Sequence, residues 1–284
     1  VHERAQQLLL PQGRRLGAPA LLVLALQGPL LFEQLRVPLG QLVRGLPCLV
    51  LGLLPFGDLA VEAAFGALVV LDLPLQVARP LQDAADELSA GRVTSRELVE
   101  RAFAAVDEFD AELVAMADHD RDAALAAADA LDVERRAGRN RGRLHGIPIT
   151  VKDVIDVSGL TTRAGSLTYA DAPAHDAEAV GRLRQAGVVI LGKAATHEFA
   201  LGVTSPQCRN PHDPTRLAGG SSGGSAVAVA TGMGLASLGT DTRASIRVPA
   251  ALCGLVGLKP TYGRVPTSGE IRRAWTRDHV APLG

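Results

Sequence analysis

Three serines and one lysine are the residues of this chain best suited to covalent chemistry. Ser221 and Ser222 lie in the run Ala218-Gly-Gly-Ser-Ser-Gly-Gly-Ser225, and Ser245 lies in Gly239-Thr-Asp-Thr-Arg-Ala-Ser-Ile-Arg-Val-Pro249. About one helix and one strand separate the two clusters, so a compact fold can bring them face to face. A serine hydroxyl is a weak nucleophile until a base takes its proton, and no histidine occurs between Ala218 and Pro260. The chemically suited bases are lysines, of which the sequence has three, Lys152, Lys193 and Lys259. Lys152 ends the apolar, β-branched run Gly146-Ile-Pro-Ile-Thr-Val-Lys152, which reads as a buried strand. Burial disfavours the ammonium form, lowers the pKa and leaves a neutral amine that can serve as general base. These residues outline a nucleophile at Ser245, a proton relay at one of Ser221 and Ser222, and Lys152 as base. Backbone N–H groups from Asp241 to Ser245 would face the developing oxyanion. Lys193 and Lys259 are the rival bases.

Five stretches carry a family resemblance. They are Gly146-Ile-Pro-Ile-Thr-Val-Lys-Asp153, Gly192-Lys-Ala-Ala-Thr-His-Glu-Phe-Ala-Leu-Gly202, Asn210-Pro-His-Asp-Pro214, Gly219-Gly-Ser-Ser-Gly-Gly-Ser225, and Gly239-Thr-Asp-Thr242 with Ser245-Ile-Arg-Val-Pro-Ala-Ala251. In this order they resemble the amidase signature family, serine hydrolases of carboxylic amides with a Ser-cisSer-Lys triad. The resemblance runs roughly from Leu81 to Gly284 and implies that Lys152 is the base, Ser221 the relay beside a cis peptide, and Ser245 the acylated nucleophile. It further implies an oxyanion hole from the amides of Thr242, Arg243, Ala244 and Ser245, with Ser222, Asp241 and Arg247 as structural support. The implied fold is a layered α/β/α arrangement with a mixed sheet flanked by helices. The substrate would be a small-molecule amide, with no metal and no organic cofactor. No nucleic acid is expected unless the chain is the A subunit of a glutamine-dependent aminoacyl-tRNA amidotransferase, and homo-oligomerisation stays open.

Two departures from the family bear on activity. Members usually carry Gly-Gly before the nucleophile, where this chain has Arg243-Ala244. Forcing either residue into the left-handed region would cost about 1–2 kcal/mol; the alternative is that both side chains point away and the backbone keeps its path. Members also continue well beyond the region matched by the end of this sequence, so an incomplete C-terminal part is expected, and an inactive homologue is a third reading.

The remaining motifs are weaker. Gly220-Ser-Ser-Gly-Gly224 satisfies the nucleophile-elbow pattern, which would put the nucleophile at Ser222, but it needs a strand directly before it and Asp213 to Gly219 reads as a poor one. No Gly-Lys-Ser/Thr ending supports a phosphate loop. The seven histidines are scattered, and Cys48, Cys208 and Cys253 show no metal spacing; their odd number fits a reducing, cytoplasmic setting. His197 and Glu198 are expected to be structural. A net charge of −1 gives no electrostatic case for nucleic acid or an anionic membrane.

The elements that must position these residues begin after residue 80. Residues 1–80 form a Leu- and Pro-rich N-terminal extension without lysine. Its longest uncharged stretch, Leu16 to Phe32, contains Pro19 and Pro29, so a stretch with no native fold, a folded accessory region and membrane attachment all stay open. Residues 81–284 read as the amidase signature domain, N-terminal part. Helices are expected over Leu81–Ala90, from a capping box at Thr94 to about Phe109, over about Asp120–Ala137, Ala177–Ala186 and Ser225–Met233. Strands are expected at Val188–Leu191 and Leu235–Gly239, and this alternation argues for an α/β layered sheet.

Overall fold

A computed structural model describes residues 22–25, 49–52 and 79–284. The chain divides into two units, Val1–Leu73 and Pro74–Gly284. In the first, β1 (Leu22–Ala25) and β2 (Leu49–Gly52) pair in parallel, with Leu22 opposite Leu49. The other residues of the N-terminal extension, and with them the choice among its three readings, lie outside the described residues. Among those described, no helix is long and apolar enough to cross a membrane.

The second unit is built on a five-stranded mixed sheet in the order β3-β5-β4-β8-β9. Its strands are β3 (Met116–His119), β4 (Pro148–Lys152), β5 (Val189–Ala194), β8 (Ala236–Asp241) and β9 (His279–Leu283). The three central strands are parallel, and β3 and β9 flank them antiparallel. Central β4 is buried along its whole length, as expected for a strand covered on both faces. Ile149 and Val151 enter one apolar cluster with Ile155, Val180 and Leu238. By strand alternation Thr150 and Lys152 point to the other face, where Thr150 Oγ1 donates to Ser237 Oγ at 2.8 Å.

One irregularity decides which way the lysines point. Ile149 pairs with Ile190, but Thr150 pairs with Gly192, so Leu191 is an extra residue in β5. Beyond this bulge Lys193 sits beside Val151 and Ala194 beside Lys152. Lys193 therefore shares the face of Val151, opposite Lys152.

Helices cover the sheet. They are α1 (Arg79–Ser89), α2 (Ser95–Leu113), α3 (Arg121–Arg136), α4 (Glu178–Gln185), α5 (Gly223–Ala230) and α6 (Arg247–Leu252). The Thr94 capping box is formed in both directions, with Glu97 N donating to Thr94 Oγ1 at 3.1 Å and Thr94 N to Glu97 Oε2 at 2.8 Å. Helix α5 starts two residues before the expected Ser225, because Gly224 lets it lie against the neighbouring backbone: a Cβ there would sit 2.4 Å from the Ala115 carbonyl oxygen.

Sequence periodicity did not indicate β3, α6 or β9, all of which are short. Nor did it indicate the ribbon of β6 (Arg209–Asn210) and β7 (Asp213–Leu217). The segment from Asp213, expected to be a poor strand, does form one, but in a solvent-facing two-stranded hairpin separate from the main sheet. Its polar composition follows from that exposure.

Candidate active site

Adjacent parallel strands end on the same edge of the sheet, where open α/β folds place their ligands. Lys152 is the last residue of β4, and Thr240 and Asp241 are the last two of β8. The Lys152 side chain is fully buried, and its Nζ donates to Ser221 Oγ and to Thr240 Oγ1, each at 2.8 Å. Burial pushes its pKa down to about 7, against the opposing pull of the Glu270, Asp241 and Asp278 carboxylates. A lysine with two hydroxyl partners and no hydrogen-bonded carboxylate can shed its proton near neutral pH.

Ser221 is fixed through its carbonyl. That oxygen accepts hydrogen bonds from Thr196 Oγ1 (3.0 Å), Ser205 Oγ (3.0 Å) and His197 N (3.2 Å), leaving the side chain to face the lysine. The Gly220–Ser221 peptide bond is cis. Gly220 packs so tightly that a Cβ would lie 2.2 Å from the Thr204 carbonyl carbon. Ser222 is committed elsewhere: its Oγ donates to the Thr240 carbonyl at 3.1 Å, and its N–H donates to the Ser245 carbonyl at 3.1 Å. Of the two adjacent serines, Ser221 is the one that touches Lys152.

Ser245 is buried in the turn between β8 and α6. Asp241 braces this turn, its Oδ2 accepting from Ile246 N (3.2 Å) and Arg247 Nε (3.1 Å) and its Oδ1 from Arg247 Nη2 (3.2 Å). Arg247 Nη2 also donates to the Arg243 carbonyl. Neither Arg243 nor Ala244 has a positive φ, so the strain that replacing a Gly-Gly pair could bring does not arise; the Arg243 side chain is exposed. Among the described residues, the amides of Thr242, Arg243, Ala244 and Ser245 donate to no protein acceptor. Thr242 Oγ1 donates to Asp278 Oδ1 at 2.6 Å, while Asp278 Oδ2 accepts from the amides of Arg273 and Ala274, both at 2.7 Å. One buried carboxylate thereby ties the later loop to the Ser245 turn.

The rival lysines are occupied elsewhere. Lys193 Nζ donates to the Ile155 carbonyl (2.7 Å) and Thr162 Oγ1 (2.8 Å) and lies 3.4 Å from Asp153 Oδ1, all on the opposite face of the sheet. Lys259 Nζ lies 3.3 Å from His279 Nε2. His197 and Glu198 begin a short 3-10 turn beside Ser221, and Glu198 is exposed. No group of three or more His, Cys, Asp or Glu side chains among the described residues could hold a metal ion.

The sequence singled out neither Thr240, Thr196 and Ser205 nor the two carboxyls Asp278 and Glu270. Thr240 had a usable signal, since it lies at the end of the strand leading to Ser245. The others are isolated polar residues in loops, and only folding brings them to the site.

A family profile described as Amidase matches residues 97–284. The chain belongs to the amidase family. Curated relatives agree with this amidase assignment. The chain is 48% identical over 202 residues to the A subunit of the glutamyl-tRNA(Gln) amidotransferase of Chloroflexus aurantiacus, covering 69% of this chain and 42% of that protein. It is 43% identical over 203 residues to the AtzE subunit of the 1-carboxybiuret hydrolase of Pseudomonas sp. strain ADP, covering 69% of this chain and 44% of the relative. Among solved structures, the native peptide amidase of Stenotrophomonas maltophilia matches with a TM-score of 0.69 and 38% identity, over 74% of this chain and 45% of that one. The amidase chain thus spans less than half the length of the relatives it matches, and it has the mixed, helix-flanked α/β sheet of its structural neighbours.

Proposed function

We propose that this amidase-family chain carries the catalytic segment of an amide hydrolase, with Ser245 as nucleophile, Ser221 as relay and Lys152 as base. The observation that carries the reading is the buried Lys152 Nζ, 2.8 Å from Ser221 Oγ, with its pKa pushed down to about 7. Neutral Lys152 takes the proton of Ser221, Ser221 takes that of Ser245, and Ser245 Oγ attacks the amide carbonyl. The amides of Thr242 to Ser245 then hold the oxyanion, a contribution worth about 10²–10³ in turnover per donor. The relay returns the proton to the departing amine or ammonia, and water hydrolyses the acyl-enzyme by the same route. Ser222, Asp241 and Arg247 support the loops.

Intact-mass labelling with a serine-reactive fluorophosphonate tests the assignment. A single adduct that disappears in both Lys152→Ala and Ser245→Ala is expected. A folded sample without adduct, or with one that survives in Ser245→Ala, rules the assignment out.

A second reading rests on the similarity to the A subunit of an amidotransferase. There the same serine chemistry would release ammonia from glutamine within a complex. Ammonia production from glutamine only in the presence of a partner protein would select it.

A further inference from the structure

Non-glycine residues seldom adopt a left-handed backbone, and a bulky one there is a genuine outlier. This chain places two in succession, Phe199 at φ 47° and Ala200 at φ 55°, directly after the residues that hold Ser221. Thr196 Oγ1 and His197 N donate to the Ser221 carbonyl, at 3.0 Å and 3.2 Å, and the left-handed turn follows them within the same loop. Inside the turn Ala200 N donates to the His197 carbonyl (2.9 Å) and Leu201 N to the Glu198 carbonyl (3.1 Å), while Phe199 N donates to the Ala164 carbonyl (2.8 Å). Ala200 is buried. A backbone of this kind persists only where its surroundings hold it, and such turns gather at functional sites.

Arg273 holds this one from outside the loop. Its Nη1 donates to the Ala200 carbonyl at 3.2 Å, the one hydrogen bond its guanidinium makes among the described residues. Its own backbone N–H donates to Asp278 Oδ2 at 2.7 Å, and Asp278 Oδ1 accepts from Thr242 Oγ1 at 2.6 Å. Arg273 belongs to no helix or strand and is half-buried. One loop residue thereby joins the turn beside Ser221 to the turn that carries Ser245.

We infer that Arg273 is a positioning residue for the proton relay, latching the left-handed turn at Phe199 and Ala200 and, through His197 and Thr196, keeping Ser221 aligned with Lys152. The inference rests on reading Ser221 as the relay. Without the latch the Ala200 carbonyl loses its charged donor. The turn is then free to relax toward an ordinary φ, which each of its two residues favours by about 5–30-fold. That relaxation pulls on the His197 amide and loosens one of the three donors on the Ser221 carbonyl. The Lys152 Nζ to Ser221 Oγ contact of 2.8 Å depends on that anchorage. A displacement of about 1 Å at such a contact can slow the chemistry about 10²-fold.

Fluorophosphonate labelling per folded molecule, and peptide-resolved hydrogen exchange over residues 196–201, test the latch in the whole chain. In Arg273→Met the labelling rate is expected to fall about 10–100-fold, the worth of a hydrogen bond from a charged donor. The amides of residues 197–201 are expected to exchange about 5–30-fold faster, while those of β4 keep their rate. Arg273→Lys can keep one charged donor on the one carbonyl and should stay within about threefold of the unmutated chain. Glycine takes a positive φ without strain, so in an Ala200→Gly background the further change Arg273→Met should cost less than about threefold. An unchanged rate in Arg273→Met overturns the inference, and so does an equal loss with and without Ala200→Gly. A loss accompanied by faster exchange throughout the fold also overturns it, making Arg273 a stabiliser only. If the unmutated chain takes no label, the proposed function fails on its own. Exchange unaffected by Arg273→Met then removes the latch as well, whereas faster exchange confined to residues 197–201 leaves it standing.

Discussion

Protonating Lys152 should silence Ser245, and the pH at which this happens follows from the burial of one nitrogen. A lysine at its ordinary value of 10.5 is neutral in about one molecule in 3,000 at pH 7, whereas at a value of about 7 roughly half the molecules carry the free base. The net shift, burial outweighing the opposing carboxylates, therefore raises the supply of base about a thousandfold. With the active form deprotonated, reactivity is lost as pH falls through 7: about a tenth of the molecules are competent at pH 6 and about nine tenths at pH 8. The rate of Ser245 acylation by a fluorophosphonate, followed by intact mass, is expected to rise about tenfold between these values and then level off. Ser245→Ala supplies the background, and Lys152→Met should reduce the rate by about 10²–10⁴, the usual worth of a general base. A rate independent of pH from about 6 to 9 would refute the assignment of Lys152. So would one still climbing tenfold per unit above pH 9, since that is how a solvated lysine behaves.

The other predictions separate the site from its scaffold. Lys193→Met leaves Asp153 buried without its cation and should cost about 3–5 kcal/mol in thermal or urea unfolding, while the labelling rate per folded molecule stays within about twofold; abolished labelling with unchanged stability would move the base to Lys193. In Gly220→Ala the new methyl meets the Thr204 backbone at 2.2 Å, so a stability loss at or above the ~1–3 kcal/mol of ordinary overpacking is expected together with slower labelling, and a wild-type melting temperature would contradict the packing described. Replacing Arg243 and Ala244 by glycine should leave labelling within about threefold, because neither residue has a positive φ, and should cost about 0.4–1 kcal/mol per site through the unfolded chain. A hundredfold gain would show that the native pair distorts the oxyanion loop.

Much of the layered architecture was legible because burial imposes a pattern on sequence. β4 could be read from Ile147 to Val151 because a strand covered on both faces must be apolar throughout, and α2 from the spacing of Thr94 and Glu97. Short edge elements were not legible. β3, Met116–His119, is an antiparallel edge strand with a mixed buried and exposed pattern, and β9 becomes a strand only because β8 offers it hydrogen bonds from Ser237 to Asp241. At the site, the types and order of Lys152, Ser221 and Ser245 were visible in the linear chain. The division of labour between Ser221 and Ser222 was not legible from residue types and spacing, and came only from the family resemblance, since it depends on which hydroxyl the β8 backbone claims; Thr240 takes that of Ser222. Whether Arg243-Ala244 strains the turn or leaves its path unchanged was open in the sequence for a related reason: residue identity limits φ, but the path of the loop is set by Asp241 and Arg247, which hold it without a left-handed residue.

The two buried lysines show how little of this chemistry belongs to the residue itself. Lys152 and Lys193 sit on adjacent parallel strands, one residue out of step, and both are completely buried. The extra residue Leu191 turns Lys193 to the face of Val151. There burial again pushes the pKa down, but a carboxylate, a carbonyl and a hydroxyl oppose it. Lys152 keeps the other face and meets two hydroxyls, which can accept a proton's hydrogen bond or return one as the nitrogen changes state. Without the bulge, strand alternation would place Lys193 on the face of Lys152, and a second cation near the first would further disfavour its ammonium while crowding Ser221. A single unpaired residue in β5 therefore lets one sheet hold the Lys193–Asp153 ion pair on one side and the proposed proton-transfer site on the other.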